Sequence, residues 1–188
     1  MSALANEHKA INLAQGFPDF DCSPELKKMV SKAMEKGYNQ YAPMPGVMAL
    51  REKIAIKTEQ CYSAIYNPET EITITAGHVQ AIMTAISSIV KDEDEVILFE
   101  PAYESYAPAI SLSGGRPVYV ALKQPNFHID WEEVRKMVSS KTRMIIINSP
   151  HNPTGSVLSD SDLVQLQHLT NGTNIVILSD EVFESIVF

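Results

Sequence analysis

The 188-residue sequence contains no apolar run near the roughly 18 residues that a membrane span requires. Its first residues also lack the basic, apolar and small-residue order of a signal peptide. The expectation is a cytoplasmic protein with no membrane partner. Cysteine is scarce: Cys22 and Cys61 have neither metal-ligand spacing nor the number that a secreted disulfide framework uses, so both are expected to be inert thiols. Cations are few and dispersed. With 15 Lys and Arg against 23 Asp and Glu the net charge is -8, which argues against a nucleic-acid partner, because phosphate binding wants clustered Lys and Arg. The phosphate loop G-x-x-x-x-G-K-[ST] is absent, and no G-x-G-x-x-G follows an expected strand; Ser113-Gly114-Gly115 instead closes a helix. ATPase, nicotinamide and flavin chemistries therefore lose their usual signatures. No His or Cys pair has zinc spacing, so no metal site is expected, and His151 stands alone as a loop-packing residue.

What is present has the balance of a globular domain, 45% hydrophobic and 20% charged. The first 20 or so residues carry no periodicity. Ser23-Pro24 then opens a helix that Gly37 closes, with Leu26, Met29, Val30, Ala33 and Met34 along one face. A second helix is predicted over 47–62, with Leu50, Ile54 and Cys61 turned inward. From residue 71 the rhythm changes. Strand-like runs at 71–75, 95–100, 117–121, 143–148 and 174–179 alternate with helical stretches near 78–90, 103–112, 130–139 and 159–170. The runs Met144–Ile147 and Ile175–Leu178 are apolar without alternation, as strands covered on both faces are. The pattern predicts βαβ units: an α/β fold whose largely parallel sheet has helices on both faces, preceded by an N-terminal helical segment.

Ligands in such sheets bind beyond the carboxyl ends of the strands, so the residues that follow each strand carry the functional information. After 71–75, Thr75-Ala76-Gly77-His78 turns directly into a helix, which is either an anion site or a plain connection. After 95–100, Tyr103 stands at the rim, as a ring-stacking platform or as core. After 143–148, Ser149-Pro150-His151-Asn152-Pro153-Thr154-Gly155 forms a stiff loop whose Asn152 either donates to a ligand oxygen or caps the turn. After 174–179 comes Asp180-Glu181, a carboxylate at the end of an apolar strand, costly to bury unless a cation or donor meets it. Together these features offer a phosphate cradle, an aromatic face, a donor and an anion on one rim. Pyridoxal 5'-phosphate presents the complementary set: a phosphate, a flat ring, a phenolate oxygen and a pyridine nitrogen.

Over essentially its whole length the sequence resembles the class I, fold type I aminotransferases, and within them the methionine and kynurenine (glutamine transaminase K-like) group. The resemblance rests on His151-Asn152-Pro153-Thr154-Gly155 with Ser179-Asp180-Glu181-Val182 downstream. Asn12 to Phe20, Asn39-Gln40-Tyr41, Thr75-Ala76-Gly77 and Pro101-x-Tyr103-x-x-Tyr106 support it. It implies a homodimeric pyridoxal-phosphate transferase of amino-acid metabolism, with residues 1–45 in the small-domain and dimer-arm part and 46–188 an incomplete cofactor-binding large domain. Ala76, Gly77 and His78 would bind the cofactor phosphate, mainly through backbone groups. Tyr103 would stack on the ring, Asn152 would donate to the phenolate oxygen, and Asp180 would pair with the ring nitrogen. Gly16, Phe17 and Asn152 would meet the substrate, and Tyr41 would reach the partner subunit's phosphate. The implied reaction converts an amino acid of methionine, glutamine, aromatic or kynurenine type to its 2-oxo acid. A carbon–sulfur β-lyase, or a non-catalytic dimerisation or regulatory module, is the alternative. Two departures stand out. Phe183 occupies a position where relatives carry tyrosine. The family's Schiff-base lysine and substrate-clamping arginine have no counterpart here, being expected beyond residue 188. No catalytic residue is therefore assigned, and these residues are expected to be inactive by themselves.

Overall fold

A computed structural model describes residues 1–16 and 20–186. The chain divides into two compact units, Met1–Val47 and Met48–Phe188. The first contains α1 (Ser2–Glu7) and α2 (Pro24–Glu35). α1 was not expected, since its six residues carry no apolar repeat. α2 begins as predicted, with Ser23 at the N-cap position and proline in the first turn, and Gly37 follows it at φ 89°. Its apolar stripe forms, but Leu26, Met29, Val30 and Met34 remain about half exposed.

The second unit opens with α3 (Met48–Tyr62). Of the expected inward face, Ile54 is partly buried but the other two residues are not. Leu50 and Cys61 are exposed, whereas Arg51 is buried, its Nη1 donating to the carbonyls of Pro68 (2.8 Å) and Glu69 (3.3 Å). Apolar residues are scattered around this helix rather than aligned, and a guanidinium that finds carbonyl acceptors can be buried. Lys57 and Tyr62 both bond to Glu184, tying α3 to the turn after the last strand.

The remaining elements are α4 (His78–Ile89), β1 (Glu95–Glu100), α5 (Tyr106–Leu112), β2 (Arg116–Ala121), α6 (Trp131–Met137), β3 (Thr142–Asn148), α7 (Asp160–Thr170) and β4 (Val176–Asp180). The four strands form a parallel sheet in the order β2-β1-β3-β4. Because strand side chains alternate between faces, β1 and β3 divide their apolar residues cleanly. Val96, Leu98, Met144 and Ile146 pack with Ile82 and Ile86 of α4 and Ala109 and Ile110 of α5. Ile97, Phe99, Ile145 and Ile147 pack with Trp131 and Val134 of α6 and Leu166 of α7. Each buried isoleucine contributes roughly 1.5–3 kcal/mol. β1 and β3 are covered on both faces, as the run Met144–Ile147 predicts, whereas β4, expected to be covered likewise from Ile175–Leu178, stands at the sheet edge with Ile177 40% exposed, because no described strand lies beyond it.

The expected strand at 71–75 does not form. The segment has β-forming residues, but no described strand lies alongside to take up its N–H and C=O groups, and a ladder needs both partners. The helix predicted from 103 starts three residues later, because Tyr103 O accepts from Tyr106 N (3.3 Å) in a turn that precedes α5.

Candidate active site

The parallel register aligns the carboxyl ends of β3 and β4, so Asn148 pairs directly with Asp180. Both side chains are buried polar groups at the end of apolar strands, and both are satisfied. Asp180 is 5% exposed. Its Oδ2 accepts from Tyr106 Oη (2.5 Å) and lies 2.8 Å from His78 Nε2, while Oδ1 accepts from Val182 N (3.1 Å). Three donors answer the question that the sequence raised about a charge at the end of a buried strand. Burial first, and then the bond to Asp180, push the Tyr106 phenol well above its ordinary pKa, so it remains an O–H donor.

α4 starts at the same rim. Gly77 occupies its N-cap position at φ 96°, a backbone conformation that glycine adopts without a steric penalty. The first N–H groups of any helix lack intrahelical acceptors, and here they form one wall of the rim. The Ala76 N–H donates to Gln80 Oε1 (2.5 Å), and Thr75 Oγ1 donates to Gly77 O (2.9 Å). On the opposite side, the Asn152 N–H donates to Asn148 Oδ1 (2.7 Å).

A cavity of about 140 Å³ lies between these groups, lined by His78, Tyr103, Asn148 and Asn152 together with Asp180, Val182 and Phe183. The Tyr103 ring stands 5.8 Å from the His78 ring and 5.6 Å from that of Tyr106. Four of the residues singled out in the sequence, His78, Tyr103, Asn152 and Asp180, therefore meet at one cavity, with Ala76 and Gly77 leading into its helical wall. Phe183 faces the same space. Among the lining residues there is no lysine. Gly16 and Tyr41 belong to the Met1–Val47 unit, where both are exposed, and Phe17 lies outside the described residues. His151 lines a separate cavity of about 290 Å³ with Phe127 and Leu158. Burial lowers its pKa, and its Nδ1 lies 2.8 Å from Thr154 Oγ1, as a loop-packing residue requires.

Sequence reasoning overlooked Asn148 as a site residue, although it ends an apolar strand just as Asp180 does. It also gave Tyr106 no role of its own, although spacing of three from Tyr103 puts both rings on one side of the α5 turn. His78 was expected to act mainly through its backbone; its side chain contacts Asp180.

The chain belongs to the class I and II aminotransferases, whose family model matches residues 8–188. It is 48% identical over 188 residues to a methionine aminotransferase of Escherichia coli, covering all of this chain and 49% of that protein. The corresponding crystal structure superposes with a TM-score of 0.94 over 97% of this chain and 48% of its own. N-succinyldiaminopimelate aminotransferase of Mycobacterium tuberculosis is 42% identical in its solved structure, with a TM-score of 0.95, covering 100% of this chain and 50% of that one. A kynurenine–oxoglutarate transaminase of Dictyostelium discoideum is 35% identical, over 100% of this chain and 47% of its own. The chain spans about half the length of the curated relatives that it matches.

Members of this family depend on pyridoxal phosphate. The donor set fits it. A buried carboxylate opens on the cavity that Tyr103 and Asn152 line, and the N-terminus of a 12-residue helix stands at its edge. That combination suits a cationic ring nitrogen, a flat ring, an oxyanion and a phosphate.

Proposed function

We propose that the protein is a pyridoxal-phosphate-dependent aminotransferase acting on an amino acid of the methionine, glutamine, aromatic or kynurenine type. The observation that carries this reading is the Asp180 carboxylate, buried, triply hydrogen-bonded and opening on a cavity shared with Tyr103 and Asn152. The cofactor supplies an electron sink for the substrate's α-carbon when its pyridine nitrogen is protonated. Asp180 keeps that proton on the nitrogen, because a carboxylate within contact distance favours the charged form. Tyr106 and Val182 N hold the carboxylate in place. Asn152 would donate to the phenolate oxygen, and Tyr103, which lines the same cavity, would stack on the ring and exclude water. The backbone of Ala76, Gly77 and His78 would receive the phosphate at the start of α4, the phosphate replacing Gln80 Oε1 at the Ala76 N–H.

Gly16 and Phe17, with Asn152, are assigned to the substrate, and Tyr41 to the phosphate of a partner subunit in a cytoplasmic homodimer. The Schiff-base lysine and the arginine for the substrate carboxylate are assigned to the part of the relatives' length that this chain does not span. Support for the substrate class comes from the similarity to the methionine aminotransferase and the kynurenine–oxoglutarate transaminase. Among the described residues, no helix is long and apolar enough to cross a membrane.

The test is Asp180→Asn in the intact protein, which keeps the shape and removes the charge. Transamination of methionine with a 2-oxo acid should fall by on the order of 10²–10³, the usual effect of deleting one preorganised electrostatic partner. A rate equal to that of the wild type refutes the reading.

A further inference from the structure

Asn148 ends β3 opposite Asp180, and its carboxamide bonds in three directions. Nδ2 donates to Asp180 O (3.0 Å) and to Pro150 O (3.2 Å), and Oδ1 accepts from Asn152 N (2.7 Å). The orientation of the amide follows from these partners. If it were flipped, Nδ2 would face the Asn152 N–H, donor against donor, and Oδ1 would face two carbonyl oxygens. Both N–H donors are therefore engaged, and none is left for a ligand, although the side chain is 91% buried by its 9% exposure and lines the cavity. Ser149 N, at the start of the rim loop, also donates to Asp180 O (3.1 Å), while bonds farther along are internal to the loop, such as His151 N to Ser156 O and Gly155 N to His151 O. Among the described residues, the bond to Asn148 is the one that ties residue 152 to the strand ends.

We propose that Asn148 is a positioning residue that fixes the Asn152 donor relative to the Asp180 carboxylate, so that the two can engage one ligand ring together. This rests on the reading of the cavity as the pyridoxal-phosphate site. Without this side chain Ser149 N still holds the loop start to Asp180 O, but residue 152 loses its bond to the strand ends, so the Asn152 donor can shift relative to the carboxylate. The loss also leaves the partly buried Asn152 N–H and Pro150 carbonyl without the partners they have here. Penalties of that kind correspond to a loss of about tenfold to a hundredfold in affinity.

The experiment measures the dissociation constant and absorbance maximum of bound pyridoxal phosphate in the intact protein, for the wild type, Asn148→Ala, Asn148→Asp and Asp180→Asn. Circular dichroism serves as the check on folding. Asn148→Ala should bind about tenfold to a hundredfold more weakly, with a displaced absorbance maximum that a merely structural role does not produce. Asn148→Asp keeps the acceptor for Asn152 N and loses the donor to Asp180 O, so it should fall in the same direction. It carries the test alone if the alanine variant does not fold. If Asp180→Asn weakens binding while both Asn148 variants match the wild type in affinity and absorbance, the positioning role is overturned and the cofactor site stands. If Asp180→Asn also matches the wild type, the cofactor site itself is overturned, and the positioning role with it.

Discussion

Tyr106→Phe isolates the price of holding a carboxylate at the end of a buried strand. The Tyr106 side chain is 3% exposed and packs in the cluster formed by Ile82, Ala109 and Ile110, so the phenylalanine ring fills the same space. Only the hydroxyl is lost, and with it the 2.5 Å bond to Asp180 Oδ2. His78 Nε2 and Val182 N remain as partners of the carboxylate. A hydrogen bond to a charged, buried acceptor is worth about 1.5–3 kcal/mol. The intact protein should lose about that much stability and melt at a lower temperature. Urea and thermal unfolding of the two proteins measure it. Tyr103→Phe is the control: its ring is half-buried at the rim and should cost no more than about 0.5 kcal/mol. Because burial and then the bond to Asp180 raise the Tyr106 pKa in the folded protein, the difference between wild type and Tyr106→Phe should be complete below the unfolded tyrosine value near pH 10 and shrink above it, where the unfolded chain ionises and the folded one does not. A Tyr106→Phe protein as stable as the Tyr103→Phe control refutes the claim that this hydroxyl stabilises the buried carboxylate.

Three other outcomes are expected. Phe183→Tyr places a hydroxyl in the cavity near Asn152, and a new bond to the cofactor's oxyanion should lower the pH at which bound cofactor changes absorbance, by at most about one to two units; superimposable titrations of the two proteins would mean that position 183 does not touch the cofactor. Burial works to raise the pKa of Asp162, but bonds from the Ser159 hydroxyl, Trp131 Nε1 (2.8 Å) and Ser159 N hold it below the ordinary aspartate value; the stability it adds is complete above the unfolded value near pH 4 and is lost as pH falls through the lower folded value, so emission from Trp131, the single tryptophan, should report an acid transition that Asp162→Asn removes. The open edge of β4, where Ile177 is 40% exposed, should make the 188-residue chain self-associate when produced alone, and a clean monomer by light scattering with a sharp two-state melt contradicts this.

How much of this was legible in the sequence depended on where each element finds its partners. β1 and β3 could be read because every residue of their cores is apolar, and a strand buried on both faces needs nothing beyond its own sequence to announce it. α7 was equally local, since Ser159 and Asp162 close a capping box within four residues. The segment 71–75 has comparable strand propensity, yet it remains unpaired, because a ladder is a property of two segments and propensity belongs to one. α3 misled for a related reason. Leu50 and Cys61 were assigned inward from spacing alone, but the helix buries Arg51, whose acceptors lie in the loop at Pro68 and Glu69.

The site divides along the same line. Asp180, Tyr103 and Asn152 were visible because each follows a strand, and the parallel register carries strand ends to one rim whatever lies between them. The contacts that make them a site were not visible, because they join residues far apart in sequence: His78 and Tyr106 reach Asp180 across separations of 102 and 74 residues, and Asn148 reaches it across 32. A buried carboxylate implies donors without naming them. What could have narrowed the choice is a counting argument: an apolar strand that ends in a polar residue must satisfy that residue at the rim. β3 ends in Asn148 and β4 in Asp180, side by side in a parallel sheet. Two such endings on adjacent strands can satisfy each other only in part, since the side chains of an asparagine and an aspartate together offer one amide group for three oxygen atoms. The remainder must come from the helix starts and loops that meet the same rim, and that is where His78, Tyr106 and the Asn152 backbone are found.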